Sequence, residues 1–433
     1  MAFTAYNLVS FAGIFVLMGF AWLFSTNRNR MNWHAIAWGV GLQLMFGLFI
    51  FVAPAGVRVF LAINGLVVKV LEPASEGARF LFGPLALPPG TEGSIGFLLA
   101  FQALPTIIFF SALMSVLYYY GVMQALIRGF AVAFTKLMRI SGAESLCTAA
   151  NIFVGIESNL TIRPHLVEMT RSELCMVLTS GMATVASSTM ALYVFLLQSR
   201  FPTIAGHLVS ASILSAPAAI VMSKILLPET ENPKTLGRTI KAQYDKESNV
   251  FEAVINGSMS GAKVVLSIAA LLIAVLGLVA LADLGLKSAG PLLNSWMHVQ
   301  IDWTLRGLLG YLFAPFVLVI GVPPADVMAA ARIIGERLVL TEVTSYQDLS
   351  TAIAAGSIHY TRSLVITTYA LCGFAHVASM AIFVGGTAAL APNKTTVLSK
   401  IGFRALVAAT LAGLMTACVA GTFCNGSSVL LGR

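Results

Sequence analysis

Tyr6 to Phe24 is nineteen residues without one charged side chain. Similar apolar stretches recur at about Trp33 to Val52, Ile95 to Tyr120, Glu173 to Leu197, Leu208 to Leu227, Gly261 to Leu284, Leu364 to Ala389 and Ala405 to Phe423. A helix needs ~20 apolar residues to cross a hydrocarbon layer. In lipid every backbone N–H and C=O must find its partner inside the protein, which leaves only helices and closed barrels. Runs this long and this continuous predict an all-α polytopic membrane protein with about eight transmembrane helices. Composition agrees: 58% of the 433 residues are hydrophobic and 10% charged, where a soluble domain carries about 25% charged residues. The first run lacks the basic leader and small-residue cleavage site of a secretory peptide, so it reads as a retained span.

Basic residues orient the spans. Arg28 and Arg30 sit in the first turn, and Lys224, Lys234, Arg238, Lys241 and Lys246 cluster after the fifth span. Lys394, Lys400 and Arg404 follow the seventh. Placing these loops in the cytoplasm puts both termini outside. The net charge of +8 is spread over short loops and reads as topology rather than as a nucleic-acid surface. Residues 55–90 and Val122 to Ile140 alternate apolar and charged groups and read as interfacial helices, as does Leu286 to Asp302. Leu305 to Val322 reads as an apolar helix. The cysteines Cys147, Cys175, Cys372, Cys418 and Cys424 lie in or near apolar segments without metal-ligand spacing, and read as packing residues.

Two stretches resist this scheme. Ala143 to Pro164 gathers Asn151, Gly155, Glu157, Ser158 and Asn159 within nine residues, and Pro323 to Asp348 repeats the theme with Gly335, Thr341, Glu342, Thr344 and Ser345. A carboxylate at bilayer depth costs ~2.5–3.5 kcal/mol on insertion scales, so it faces a cavity or pathway. One reading is a re-entrant hairpin whose broken backbone lines a site; the other is a kinked span whose polar cluster joins helices. With both stretches as hairpins, all the basic loops fall on one side. Two hairpins entering from opposite faces form the inverted repeat of secondary transporters. The chain then divides within one membrane domain into 1–93 (N-terminal spans and interfacial helix), 94–142 (scaffold span and amphipathic helix) and 143–227 (first hairpin, spans four and five). Residues 228–322 hold the basic loop, a scaffold span and a broken or interfacial helix, and 323–433 the second hairpin with spans seven and eight.

Other chemistry finds little support. There is no Gly-rich Lys motif for a nucleotide phosphate. His34, His165, His207, His298, His359 and His376 have no ligand spacing for a catalytic metal. Ser379 lies three residues beyond His376, but no acid is supplied locally to complete a nucleophilic set. The chain reads as a transporter rather than an enzyme, with no cofactor.

The segments GAES, AANIFVG, GMATVASSTMALY, VIGVP, YALCGFA and GGTAALAP, in that order, resemble the concentrative nucleoside transporter family. The resemblance runs from Tyr6 to about Phe423. It implies a homotrimer in a bacterial inner membrane, importing nucleosides with sodium or, in some members, a proton. By the same resemblance Asn151 and Thr184, with the carbonyls of Val154 and Val185, form a sodium site, and hydrogen bonding across helices is the alternative role for those side chains. Glu342, Phe374, His376 and Ser379 fall at the sugar-binding positions, and Glu157, Ser158 and Thr189 near the base. Three motifs depart from the family. Its Gly-Gln-Thr/Ser-Glu tip is one residue short here, with Gly155 followed by Ile156 and Glu157. Its Asn-Glu-Phe becomes Thr341-Glu342-Val343, and its Phe-Ala-Asn becomes Phe374-Ala375-His376. Losing both amides changes which base or sugar is accepted. Two alternatives stay open beside sodium–nucleoside symport: proton coupling through His376, and the same fold carrying another polar metabolite.

Overall fold

The computed structural model describes residues 4–244, 247–298 and 300–424. Lys246 of the basic loop and the C-terminal residues 425–433, expected outside, lie outside the described residues. Every regular element among them is helical, apart from one isolated bridge between Ser141 and Leu236.

The first five helices are α1 (Ala5–Leu23), α2 (Trp33–Phe51), α3 (Pro54–Phe82), α4 (Pro105–Tyr119) and α5 (Val122–Met138). Pro54 and Pro105 each open their helix, where a missing N–H costs nothing. Burial along α5 falls on Met123, Ile127, Ala131, Phe134, Thr135 and Met138, the one-sided stripe of an amphipathic helix. Most of residues 55–90 form α3, which buries Gly56, Phe60, Leu71, Ala74 and Ala78 and leaves its charged groups outside the core; by length and composition Pro54–Ala86 is also long and apolar enough to cross a membrane.

Next come α6 (Gly142–Asn151), a 3-10 stretch Ile156–Ile162, α7 (Arg163–Leu166), α8 (Arg171–Ala183), α9 (Ser187–Leu197) and α10 (Ile204–Leu226). The rest is α11 (Val250–Met297), α12 (Leu305–Val319), α13 (Pro324–Glu336), α14 (Glu342–Ala354), α15 (Thr361–Leu371), α16 (Val377–Leu390) and α17 (Thr395–Phe423). α11 absorbs both the predicted sixth span and the supposed interfacial segment after it, running 48 residues, about 72 Å. It packs on α4 through Gly257 and Gly261, where an added Cβ would stand 2.7 Å from Ser115 Cβ and from Ile108 Cα. Small residues four apart are what allow helices to approach this closely in a membrane.

Spans four and seven, read as continuous helices, are each broken. α8 and α9 are separated by 184–186, with Thr184 extended (φ −112°, ψ 168°); α15 and α16 are separated by 372–376, where Gly373 takes φ +105°. The two breaks touch: a Cβ on Gly373 would lie 2.5 Å from the Ala183 carbonyl oxygen. A break frees backbone groups that lipid cannot satisfy, and here the hairpins satisfy them. The Ser187 N–H, first in α9, donates to Phe153 O at 2.8 Å, and the Val377 N–H, first in α16, donates to Leu338 O at 3.1 Å. Phe153 and Leu338 are each the second residue beyond the first helix of their stretch. The same contact thus occurs in both halves, the structural form of the repeat.

Both polar stretches turn back on themselves. The Gly142 N–H donates to Thr235 O while Glu168, at the far end, pairs at 2.7 Å with Lys234, the adjacent residue. In the second stretch Asp326 accepts the His359 and Tyr360 N–H groups. Entry and exit therefore lie at one place in each. The ends are capped by sequence: Ser141 and Glu144 form a capping box at α6, and Thr170 and Glu173 another at α8. The core is α8 and α10, buried almost throughout, with the part of α17 from Ala405 to Gly421.

Candidate substrate and ion site

A cavity of ≈ 1150 Å³ opens between the two hairpin tips and the breaks of the two interrupted helices. Of the residues expected at a substrate, Glu157, Thr189, Glu342, Phe374, His376 and Ser379 all line it. They come from four elements that sequence separation of more than two hundred residues does not connect.

Glu342 is the first residue of α14 and is 5% exposed. Oε1 accepts the Tyr193 hydroxyl at 2.8 Å. His376 Nε2 approaches Oε2 to 2.8 Å, yet no well-aligned hydrogen bond satisfies that oxygen. A carboxylate oxygen has lone pairs for more than one donor, so a ligand hydroxyl at the cavity wall can share it with His376.

His376 is also the N-cap of α16: Nδ1 accepts the Ser379 N–H at 3.1 Å, while Ser379 Oγ accepts the His376 N–H at 3.2 Å. An accepting Nδ1 carries no proton, so the ring hydrogen is assigned to Nε2, facing Glu342. Glu342 and His376 thus present an acceptor beside a donor. Ser379 spends its hydroxyl on the carbonyls of Phe374 and His376, so it shapes the break as well as lining the cavity. Phe374 supplies an apolar face there, and Thr189 Oγ1 bonds Ala186 O at 3.0 Å.

At the first hairpin the polar groups divide. Glu157 is exposed to the cavity. Ser158 is fully buried and absent from the cavity wall; its hydroxyl donates to Asn151 Oδ1 at 2.9 Å. Asn151, also fully buried, donates to Ser180 Oγ at 3.0 Å, and Thr184 Oγ1 donates to Ser180 O at 2.8 Å. Asn151, Thr184 and Val185 lie behind the wall, while Val154 reaches it. These oxygens are amide, hydroxyl and carbonyl, a neutral hard-donor set suited to a monovalent cation carried as cargo. Among the described residues no three His, Cys, Asp or Glu side chains gather as a metal site. Asn159 Nδ2 donates to Thr387 Oγ1 of α16 at 2.8 Å, so the first hairpin is tied to the second half of the repeat, as Tyr193 of α9 ties the first half to the second hairpin.

Tyr193 is the residue sequence reasoning missed. Its trace is only a spacing: it stands four residues beyond Thr189, on the same helical face. Tyr346 stacks on it, with ring centroids 4.4 Å apart. Ser188, Tyr118, Tyr244 and Lys263 also line the cavity, and nothing in their local sequence marks them.

Comparison with known proteins agrees over the whole chain. The profile of the Na+ dependent nucleoside transporter C-terminus matches residues 207–421, that of the N-terminus residues 12–85, and a nucleoside recognition profile residues 100–200. Solute carrier family 28 member 3 of Mus musculus is 37% identical over 429 residues, 96% of this chain and 58% of that protein, so the chain spans little more than half its length. An uncharacterized transporter of Haemophilus influenzae is 35% identical, covering 96% of this chain and 97% of its own. The structure of CNTnw in an inward-facing substrate-bound state superposes with a TM-score of 0.86 at 34% identity, over 96% of this chain and 98% of that one.

Proposed function

Since the chain belongs to the concentrative nucleoside transporter family, a family of multi-pass membrane transporters and not of enzymes, we propose that it is a secondary active transporter importing nucleosides with sodium by alternating access. The observation that carries this reading is the pair Glu342 and His376, whose Oε2 and Nε2 stand 2.8 Å apart and which both line the cavity. A vicinal diol matches that pair: one hydroxyl donates to the carboxylate and the other accepts from the ring. The base then extends toward Thr189 and Glu157, a carboxylate that accepts from bases bearing N–H groups and takes up the role of the missing amide.

Sodium is held, in this proposal, by Asn151, Thr184 and the carbonyls of Val154 and Val185. Sodium rather than a proton is favoured by the cap at α16. A second proton on His376 would sit on Nδ1 and turn the acceptor of the Ser379 N–H into a donor, breaking the cap. Sodium and nucleoside each stabilise the arrangement in which the hairpin tips and breaks close together, so each raises the affinity for the other by the same factor. The assembly is a homotrimer in a bacterial inner membrane with both termini outside.

Uptake of a labelled nucleoside panel into liposomes, under sodium and proton gradients imposed separately, tests the reading. The expected result is sodium-driven uptake that survives His376→Asn, since Asn also caps helices well. Uptake driven only by protons and lost in His376→Asn would move coupling to the histidine. A folded protein that carries no nucleoside under either gradient would leave the other-metabolite alternative, which the shortened tip at Gly155 favours.

A further inference from the structure

The second hairpin buries a cation whose attracting carboxylate, Glu342, stands beyond ion-pair distance. Arg337, the residue after α13, is 1% exposed. Among the described residues no carboxylate comes within ion-pair distance of its guanidinium. Nη1 donates at 2.6 Å to Ala370 O, in the last turn of α15, and Nε has no partner. The carbonyl oxygens of Ala370 and Cys372 lie 3.2 and 3.6 Å from where a Cβ on Gly413 would be, and Nη1 lies 3.8 Å from it. Guanidinium and two break carbonyls therefore share the space that α17 leaves open at Gly413. Carbonyls at a helix C-terminus carry partial negative charge and attract a cation. Buried Lys224 differs, being paired with Glu144 and Glu229, and the half-exposed Arg306 is paired with Glu336 and Asp348.

The first hairpin has the same junction with other chemistry. Ser180 and Ala370 each precede by seven residues the N–H that bonds their hairpin, Ser187 and Val377. Asn151 reaches Ser180 as Arg337 reaches Ala370. At the first junction every side chain is neutral, and the positive charge has to arrive from solution. At the second it is covalently attached.

We propose that Arg337 is a tethered cation at the second hairpin's counterpart of the ion site. It permanently supplies the charge that a mobile ion supplies at the first, so that one mobile cation accompanies each substrate. The inference rests on the sodium–nucleoside reading above. It gives the two junctions different dependence on sodium: contact of the first hairpin with α8 responds to it, and contact of the second with α15 does not.

The test is the charge moved per nucleoside, measured from reversal potentials in liposomes, together with the steepness of the sodium dependence, which is bounded by the number of coupled sites. The intact protein is expected to move one positive charge per nucleoside with a Hill slope near one, and Arg337→Lys to keep both. Arg337→Met empties the second junction of charge; uptake is then expected to fall at low sodium and recover at high sodium with a slope rising toward about two. Two charges per nucleoside in the intact protein would overturn the tethered-cation role while leaving symport in place, and this readout needs no variant to fold. A correctly assembled Arg337→Met protein with unchanged charge ratio and slope would overturn it as well. Absence of any sodium-driven uptake in the intact protein would overturn the symport reading and this inference together.

Discussion

The two hairpins share a backbone plan and differ in polarity. Each ends its first helix just before a break, hands a carbonyl two residues on to the N-terminus of a half-helix, and places a glutamate four residues further along, Glu157 or Glu342. The first joins neutral groups, Asn151, Ser158, Ser180 and Thr184, and leaves its glutamate exposed in the cavity. The second holds Arg337, Glu342 and His376, all buried. The lesson is that a duplicated scaffold fixes where broken backbone can meet, and the side chains then set the chemistry of each junction. A buried charge is costly unless a partner answers it, so the charged junction is arranged around fixed partners. In the proposed reading the neutral one binds an ion and releases it.

The comparison is sharpest at the two groups that should not substitute for each other. Glu342→Gln removes the charge that answers Tyr193 and a substrate hydroxyl. Charge-assisted bonds contribute about 1.5–3 kcal/mol each, so uptake efficiency at saturating sodium should fall roughly 100-fold, with the sodium concentration for half-maximal uptake little changed. Asn151→Ala leaves Ser158 and Ser180 short of a partner and removes one ion oxygen. Half-saturation by sodium should rise roughly 10-fold, while the nucleoside KM at saturating sodium stays near its starting value. If both substitutions shifted sodium and nucleoside alike, the division of labour between the hairpins would be lost. Glu157→Gln should act least, about 3-fold on uptake, because an exposed carboxylate gains little from each bond; its signature should be a changed order of preference among bases, read by competition.

Much of the architecture was legible from the chain because the bilayer imposes it. Apolar runs such as Tyr6 to Phe24 have few options, and Asn151, Glu157 and Glu342 stood out because polar groups at that depth need a reason. The breaks were not legible. GMATVASSTMALY and YALCGFAHVASM read as ordinary apolar spans, since Thr184 and Gly373 interrupt their helices only because a hairpin carbonyl stands ready to accept the next N–H. α11 was cut short for the opposite reason: Leu286 to Asp302 read as a separate interfacial segment, and most of it, Pro291 included, continues the helix. Ser158 was assigned by position in a motif; its burial against Asn151 depends on how the 3-10 stretch turns, which spacing does not encode.

By itself the sequence determined the class of fold, the two polar stretches and six of the side chains at the cavity, Glu157, Thr189, Glu342, Phe374, His376 and Ser379, because hydrophobic length and the cost of buried charge act locally along the chain. Only the tertiary structure decided that Tyr193 answers Glu342, that His376 meets the same carboxylate, and that Arg337 lies against Ala370. Arg337 and Ala370 are 33 positions apart and Tyr193 and Glu342 are 149 apart, and these contacts exist because the breaks of two helices and the tips of two hairpins must satisfy one another inside the protein.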